Sequence, residues 1–338
     1  MRLKNKNQPL NSIKNASSKQ FIQQITNGNI SFLSKAITLV ESNNQKHHMK
    51  ASEILEGCLP HAKKSIRIGI TGVPGVGKST FIEAFGKHLT KLNKKVAVLA
   101  IDPTSSLNKG SILGDKTRME SLVNDENAFI RPSPSGDSLG GVTRKTRESI
   151  TLCEAAGFDY IIVETVGVGQ SEIAVHGMVD FFLLLKLANA GDELQGIKRG
   201  IIEMADLIVI NKADGNYEKQ ANLAKSEFKR ALHLFPTKKS GWTPEVTTSS
   251  ALNNIGIENI YQILNTYLKL TKKNGYFYQQ RKSQNKQWFY EAINNELKNQ
   301  FYKDKKVIES ISEYLNKIEK DEINPFKAAQ NLLKKITK

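Results

Sequence analysis

An α/β fold built on a mostly parallel sheet is what this sequence predicts, and three observations carry that prediction. Between residues 65 and 272, short apolar runs alternate with helical segments, the pattern of strands joined by crossover helices that cover both faces of one sheet. A glycine-rich run ending in Lys78-Ser79-Thr80 sits between the first apolar run and the first helical segment, where a phosphate-binding loop belongs. Helical stripes flank this region on both sides. The chain therefore divides into an N-terminal helical extension (1–64), an α/β domain (65–272) and a C-terminal helical arm (273–338).

The elements follow in order. In the extension, Phe32, Ile37, Leu39 and Val40 precede Glu41, and Ile54, Leu55 and Leu59 form a second apolar stripe at helical spacing. Candidate strands are 65–71, 96–101, 128–131, 160–164, 181–186, 207–211 and 245–248. In the arm, Trp288, Phe289, Ala292, Ile293, Leu297 and Phe301 recur at helical spacing. Val307, Ile308, Ile311, Tyr314, Leu315 and Ile318 follow with a near-heptad step. Asn324-Pro325 reads as an N-cap with proline at the first helical position. Phe326, Ala329, Leu332, Leu333 and Ile336 then line one face. Three amphipathic helices cannot bury these stripes alone, so they pack on the central domain or on a second copy of the chain.

Composition excludes several classes. An apolar share of 39% is too high for wholesale disorder. The longest apolar run, 96–101, is far short of the ~20 residues that span a bilayer, so no membrane partner is expected. The 49 Lys and Arg against 33 Asp and Glu give a net charge of +16, which raises the question of nucleic acid. The lysines are spread along the chain without aromatic interleaving, so the reading is a solvated surface and no nucleic-acid partner. Cys58 and Cys153 form neither a disulfide framework nor a metal-ligand spacing. The basic residues 1–19 lack an apolar core of signal-peptide length, and Arg2 is the only arginine among the first 40 residues. A reducing cytoplasm is the expected location.

The chemistry starts at Gly72, Val73, Pro74, Gly75, Val76, Gly77, Lys78, Ser79 and Thr80, which fit GxxxxGK[ST]. Ile68, Gly69 and Ile70 lead in as a strand; Phe81, Ile82, Ala84 and Phe85 lead out as a helix. Glycines let backbone N–H groups turn inward around a β-phosphate, and the helix N-terminus adds partial positive charge. Lys78 would reach the β- and γ-phosphates, and Ser79 would give its hydroxyl to Mg²⁺. The architecture expected is that of a P-loop NTPase.

Asn211-Lys212-Ala213-Asp214 ends the apolar run 207–210 in the N/TKxD arrangement of GTP-binding proteins. The Asp214 carboxylate would accept from guanine N1–H and the exocyclic amino group. Adenine offers neither donor, and a site built this way rejects the wrong ligand by roughly 10⁴-fold. Asn211 would brace the loop and the Lys212 stem would cover the base. Ser250-Ala251-Leu252, after the next strand, would present a backbone N–H to guanine O6.

Metal and switch candidates are carboxylates at strand ends. Glu164, in Glu164-Thr165-Val166-Gly167, stands where a Walker B acid enters the DxxG switch, and Gly167 would give its N–H to the γ-phosphate. Asp102 closes the strand at 96–101, and Asp115 follows within Gly114-Asp-Lys-Thr-Arg118. Val168 follows Gly167, where Ras-type GTPases place a water-orienting Gln, so intrinsic hydrolysis is expected to be slow. The loop at 191–198 carries Asp192, Glu193, Gln195 and Lys198 and is the second candidate for phosphate sensing or client pairing.

Together with the strings at 110–118, 130–135, 139–147, 164–172 and 190–198, these motifs resemble the methylmalonyl-CoA mutase-associated GTPases, the MeaB/ArgK family of SIMIBI-class P-loop GTPases. The likeness runs from about residue 28 to 272 and more loosely beyond. It implies GTP and GDP as ligands, Mg²⁺, and a homodimer through the C-terminal helices. It further implies a client, an adenosylcobalamin-dependent acyl-CoA mutase, whose cofactor loading the GTPase gates and which it protects. By the resemblance, Lys78, Ser79, Asp102, Asp115 and Glu164 map onto phosphate or metal positions, and Gln195 and Lys198 onto a mobile loop rearranged by the client. Three other readings stand beside it: a kinase of an amino-acid transport system, an older label on this family; a nucleotide-regulated scaffold without turnover; and a nickel-insertion GTPase. For the last, His47-His48, at the end of an N-terminal helical segment, are the only adjacent pair among six histidines.

Overall fold

The computed structural model describes residues 13, 16–42, 44–62, 64–102, 119–134, 139–165, 171–188 and 199–336. Its strands are β1 (Ile66–Gly72), β2 (Val96–Asp102), β3 (Ala128–Pro134), β4 (Tyr160–Glu164), β5 (Phe181–Leu187), β6 (Leu207–Asn211) and β7 (Glu245–Thr248). They form one sheet in the order β3-β2-β4-β1-β5-β6-β7, and every pairing is parallel. Each crossover is long enough for a helix, as parallel pairing requires. All seven expected strands are present. β3 runs three residues beyond its expected end, through Pro132 and Pro134. It is an edge strand, so a missing proline N–H on its open side breaks no ladder.

The helices are α1 (Ser18–Thr26), α2 (Ile30–Glu41), α3 (Gln45–Cys58), α4 (Lys78–Lys91), α5 (Glu120–Val123), α6 (Leu139–Ala155) and α7 (Ser171–His176). They continue with α8 (Arg199–Met204), α9 (Glu218–Leu232), α10 (Ile257–Lys273), α11 (Tyr276–Lys303), α12 (Lys305–Glu319) and α13 (Pro325–Ile336). Alternation along β5 shows how they divide. Phe182 and Leu184 face one side; Phe182 packs with Ile37, Ile54 and Ile150 of α2, α3 and α6, and Leu184 with Phe228 of α9. Phe181, Leu183 and Leu185 face the other, with Phe81 and Phe85 of α4 and Ile260 and Tyr267 of α10. The N-terminal helices thus share the core of one sheet face. Arg131 on β3 also pairs with Glu41 at the end of α2.

Local capping matches the residue types. Ser17 and Gln20 form a reciprocal capping box on α1, Asn29 caps α2 and Asn324 accepts from Phe326 N–H at 2.8 Å before α13. His47 and His48 lie in the first turn of α3, at the start of a helix and not at the close of one: Asn44 is the N-cap, and the rings turn back to the Ser42 hydroxyl and carbonyl at 2.8 and 3.0 Å.

The chain divides into two compact units, Met1–Gln284 and Asn285–Lys338. In the second, Val307 and Ala328 are buried, and Glu313 pairs with Lys317 one turn away at 3.0 Å. Among the described residues no helix is long and apolar enough to cross a membrane.

Candidate functional site

The turn from β1 into α4 carries the glycine-rich run. Gly77 is the N-cap of α4 with φ +91°, and no side chain caps the helix, so its first N–H groups face the bend. A Cβ on Gly77 would stand 2.9 Å from Asn211 Nδ2, and one on Gly72 2.6 Å from the Leu185 carbonyl; neither position has room for a side chain. Pro74 and Gly75 are exposed at the tip, Val76 is fully buried beneath it, and Val76 N–H closes the turn on the Val73 carbonyl at 3.3 Å. Lys78 is buried, and its Nζ donates to the Gly72 carbonyl at 2.8 Å and the Val73 carbonyl at 3.3 Å. Ser79 is half-buried and Thr80 exposed.

Asn211 ties this turn to two others. Its Nδ2 donates to the Val76 carbonyl at 2.9 Å. Its Oδ1 accepts from Ser249 Oγ at 3.1 Å and from Ala251 N–H at 3.4 Å. One buried amide thus holds three loops from β1, β6 and β7 together, with its donor and acceptor both used. Lys212 takes a left-handed conformation, φ 58°, and its Cε lies 3.8 Å from the Cβ position of Gly77, so its stem crosses the phosphate turn. Half-buried Asp214 accepts from the Ser250 hydroxyl. Ser250 also exchanges both backbone hydrogen bonds with Ile255 at 3.0 Å, which fixes the loop. Leu252 is exposed.

Glu164 closes β4 beside β1, level with Ile70, and is buried. Next to it, Thr165 Oγ1 donates to Thr71 Oγ1 at 2.7 Å in a fully buried pair, and Thr165 N–H reaches the Ile70 carbonyl at 3.0 Å. Burial holds the Lys78 ammonium below the ordinary lysine value; the charges of Glu164 and of Glu172, on α7, offset only part of that. A cation kept in a desolvated bend of carbonyls, at a helix N-terminus, suits an arriving polyanion.

The structure therefore brings together Gly72, Val73, Pro74, Gly75, Val76, Gly77, Lys78, Ser79 and Thr80 with Asn211, Lys212, Asp214, Ser250 and Ala251. Asp102 is the last residue of β2. Asp115, Gly167, Gln195 and Lys198 lie outside the described residues. Three features were not read from the sequence: Glu172 as a second acid acting on Lys78, the Thr71–Thr165 pair, and Ser249 as a partner of Asn211. Each comes from contact between distant segments, and no local motif announces them. Among the described residues no group of three or more His, Cys, Asp or Glu gathers as a metal site.

A seven-stranded parallel sheet, a lysine-bearing glycine turn at the end of β1 and an NKxD loop clamped to it define a P-loop GTPase. The family model of methylmalonyl Co-A mutase-associated GTPase MeaB matches residues 33–306, and the chain belongs to that family. It is 44% identical over 290 residues to GTPase ArgK of Escherichia coli, covering 86% of this chain and 88% of the relative. It is 42% identical over 320 residues to the mouse protein named methylmalonic aciduria type A homolog, mitochondrial, covering 92% and 77%. A solved structure described as that of LAO/AO transport system kinase superposes with a TM-score of 0.77 at 35% identity, covering 96% of this chain and 99% of the other.

Proposed function

We propose that this chain binds and hydrolyses GTP with Mg²⁺. We further propose that its nucleotide state gates adenosylcobalamin loading and protects a cobalamin-dependent acyl-CoA mutase such as methylmalonyl-CoA mutase. The observation that carries the guanine reading is the Asn211 clamp, which holds the phosphate turn and the Ser250–Ala251 loop in one piece. Lys78 holds the β- and γ-phosphates, Asp214 reads the guanine edge, the Lys212 stem covers the ring, and backbone N–H groups at 250–252 meet O6. The oxygen donors Ser79, Glu164 and Asp102 at this end of the sheet, with Asp115 from the sequence, are the hard set that suits Mg²⁺. When bound, the ion neutralises charge on the β- and γ-oxygens. Gly167 supports the γ-phosphate, and Gln195 and Lys198 meet the client. The family description supports the mutase as client. The protein acts in the cytoplasm as a homodimer through the arm at 273–338.

Asp214→Asn tests the base reader: preference should relax from guanosine toward xanthosine nucleotides, and unaltered base choice would remove Asp214 from that role. Adding a purified adenosylcobalamin-dependent mutase should raise GTP turnover, since Val168 leaves the water-orienting position without a polar group. Unchanged turnover would favour a scaffold without catalysis. Removing 285–338 while retaining Arg281 should give monomers by light scattering; a persisting dimer would place the contact elsewhere. The name carried by the solved relative keeps one second reading in view, a transport-system kinase. Transfer of labelled γ-phosphate from GTP to a protein acceptor would revive it.

A further inference from the structure

The ladder between β1 and β4 ends just before the nucleotide turn begins. Its last paired residues are Ile70 and Glu164, and Thr165 N–H adds one more rung to the Ile70 carbonyl at 3.0 Å. Past that rung β1 runs into Gly72, whose carbonyl holds Lys78 Nζ at 2.8 Å. There the two strand ends are tied by side chains instead of backbone: Thr165 Oγ1 and Thr71 Oγ1 lie 2.7 Å apart. Thr71 is 1% exposed and Thr165 not at all.

Packing alone does not call for hydroxyls at this place. Valine has the shape of threonine and suits a buried strand equally well. Exchanging both partners of a buried hydrogen bond for apolar groups of the same shape is close to neutral for folding. The pair even carries a cost. Two hydroxyls bring two protons, and the bond between them uses one. Among the described residues neither oxygen has a further partner, and a buried donor left over is unfavourable.

Alternation along the strands shows what the tie can act on. On β4, Ile161 and Val163 face α7, where Val175 lies, and Ile162 faces α4 with Phe81 and Phe85. Thr165 is therefore on the α7 side, and Glu164 on the side of α4, the helix that begins with Lys78. On β1, Ile68 and Ile70 face α4, and Gly69 faces Val175, Val179 and Phe182, so Thr71 joins Thr165. The hydroxyl bond grips the sheet from behind, one residue from Glu164 on β4 and one residue from Gly72 on β1. The charge of Glu164 acts on Lys78 across the same gap.

We propose that the Thr71–Thr165 bond is a positioning element, which holds the Glu164 carboxylate in register with the phosphate turn so that this acid and Lys78 serve one magnesium nucleotide. Neither threonine touches nucleotide or metal; both act through Glu164. The inference deepens the GTPase reading and rests on it.

The test follows a fluorescent, non-hydrolysable GTP analogue bound to the full chain while Mg²⁺ is titrated. It compares wild type with Thr165→Ser and with the double variant Thr71→Val plus Thr165→Val. The double variant should melt with wild type, since no hydroxyl is left alone in the core. The Mg²⁺ concentration that half-saturates the tightening of the analogue should rise by about tenfold, the usual effect of losing a group that orients a metal site. Affinity in EDTA should stay unchanged. Thr165→Ser keeps the hydroxyl and should match wild type. In a Glu164→Gln background the two valines should add nothing, because the pair acts through that carboxylate. A wild-type Mg²⁺ response in the double variant, an equal loss in the Glu164→Gln background, or a loss in Thr165→Ser as large as that of the valines would overturn the proposal and leave the GTPase reading standing. A double variant that melts well below wild type would also overturn it, making the pair a fold contact. A wild type that binds no analogue, or binds it regardless of Mg²⁺, would bring down the nucleotide reading and the proposal together.

Discussion

At the starts of the strands, Arg281 of α11 donates to both oxygens of Asp180 at 2.7 Å and to the Ser65 carbonyl at 2.6 Å. Beside it, Arg67 forms a two-point pair with Glu154 at 2.8 and 3.0 Å. At the strand ends, Lys78 sits on two carbonyls of its own loop. Lys78 is buried and Arg281 mostly so, yet their protons respond in opposite directions. Burial works against Arg281, but the hydrogen bonds and charge of Asp180, with the charge of Glu154, outweigh it and hold the guanidinium above its ordinary value. Burial also works against Lys78, and there it wins. Charge at the strand starts is neutralised within the chain and serves the fold. Charge at the strand ends lies where burial outweighs the nearby acids Glu164 and Glu172, and a bound phosphate would add negative charge beside it.

Four changes would break or sharpen that contrast. The largest effect is expected from Asp180→Ala, which takes from the partly buried Arg281 guanidinium the buried carboxylate that it grips at two points. It should cost about 3–5 kcal/mol in unfolding free energy, read by denaturant titration, with GTP affinity of the folded fraction intact. A loss below 1 kcal/mol would mean that water already reaches this network. Next, Lys78→Ala should lower GTP affinity by about 100-fold, the worth of one charge-assisted contact of about 3 kcal/mol. Its folding stability should hold or rise, because the buried ammonium is gone; a stability loss like that of Asp180→Ala would erase the distinction between the two ends. Third, Thr165→Val removes the hydroxyl bond to Thr71 beside Glu164 and should cost about 1 kcal/mol in thermal or chemical melts; no change would show that the pair is not formed.

The smallest effect is a pH dependence. The folded chain releases the Lys78 proton at lower pH than the unfolded chain does. Between those two values the unfolded chain binds more protons, so stability rises with pH. Below the folded value the cost of the buried charge is present in full. Wild type minus Lys78→Met melts across the alkaline range should therefore slope upward without nucleotide and flatten with GDP bound. A downward slope in the free protein would show that nearby negative charge outweighs burial at Lys78, as it does at Arg281.

The same contrast explains what was legible in the residues alone. The seven strands were, because each holds a short run of apolar or β-branched residues between turn signals, and β4, β6 and β7 keep their expected bounds. The P-loop and NKxD runs were legible because their spacing encodes a local backbone shape. β3 was read short because its prolines look like breakers until the strand is known to be an edge. Arg281 and Asp180 stand 101 residues apart, and Thr71 and Thr165 stand 94 apart. Nothing in either neighbourhood marks these residues as partners; the sheet order brings Thr71 to Thr165, and the packing of α11 brings Arg281 to Asp180.

The central claim is that the strand-end pocket takes a guanine nucleotide, with Asp214 as its reader. Titration calorimetry of the full chain with GDP and ADP, each with Mg²⁺, tests it most directly. GDP should give a saturable heat at one site per chain, and ADP should bind at least about 1,000-fold more weakly, because adenine offers the half-buried Asp214 carboxylate neither of guanine's two donors. Matching isotherms for the two, or no heat from GDP, would contradict the claim.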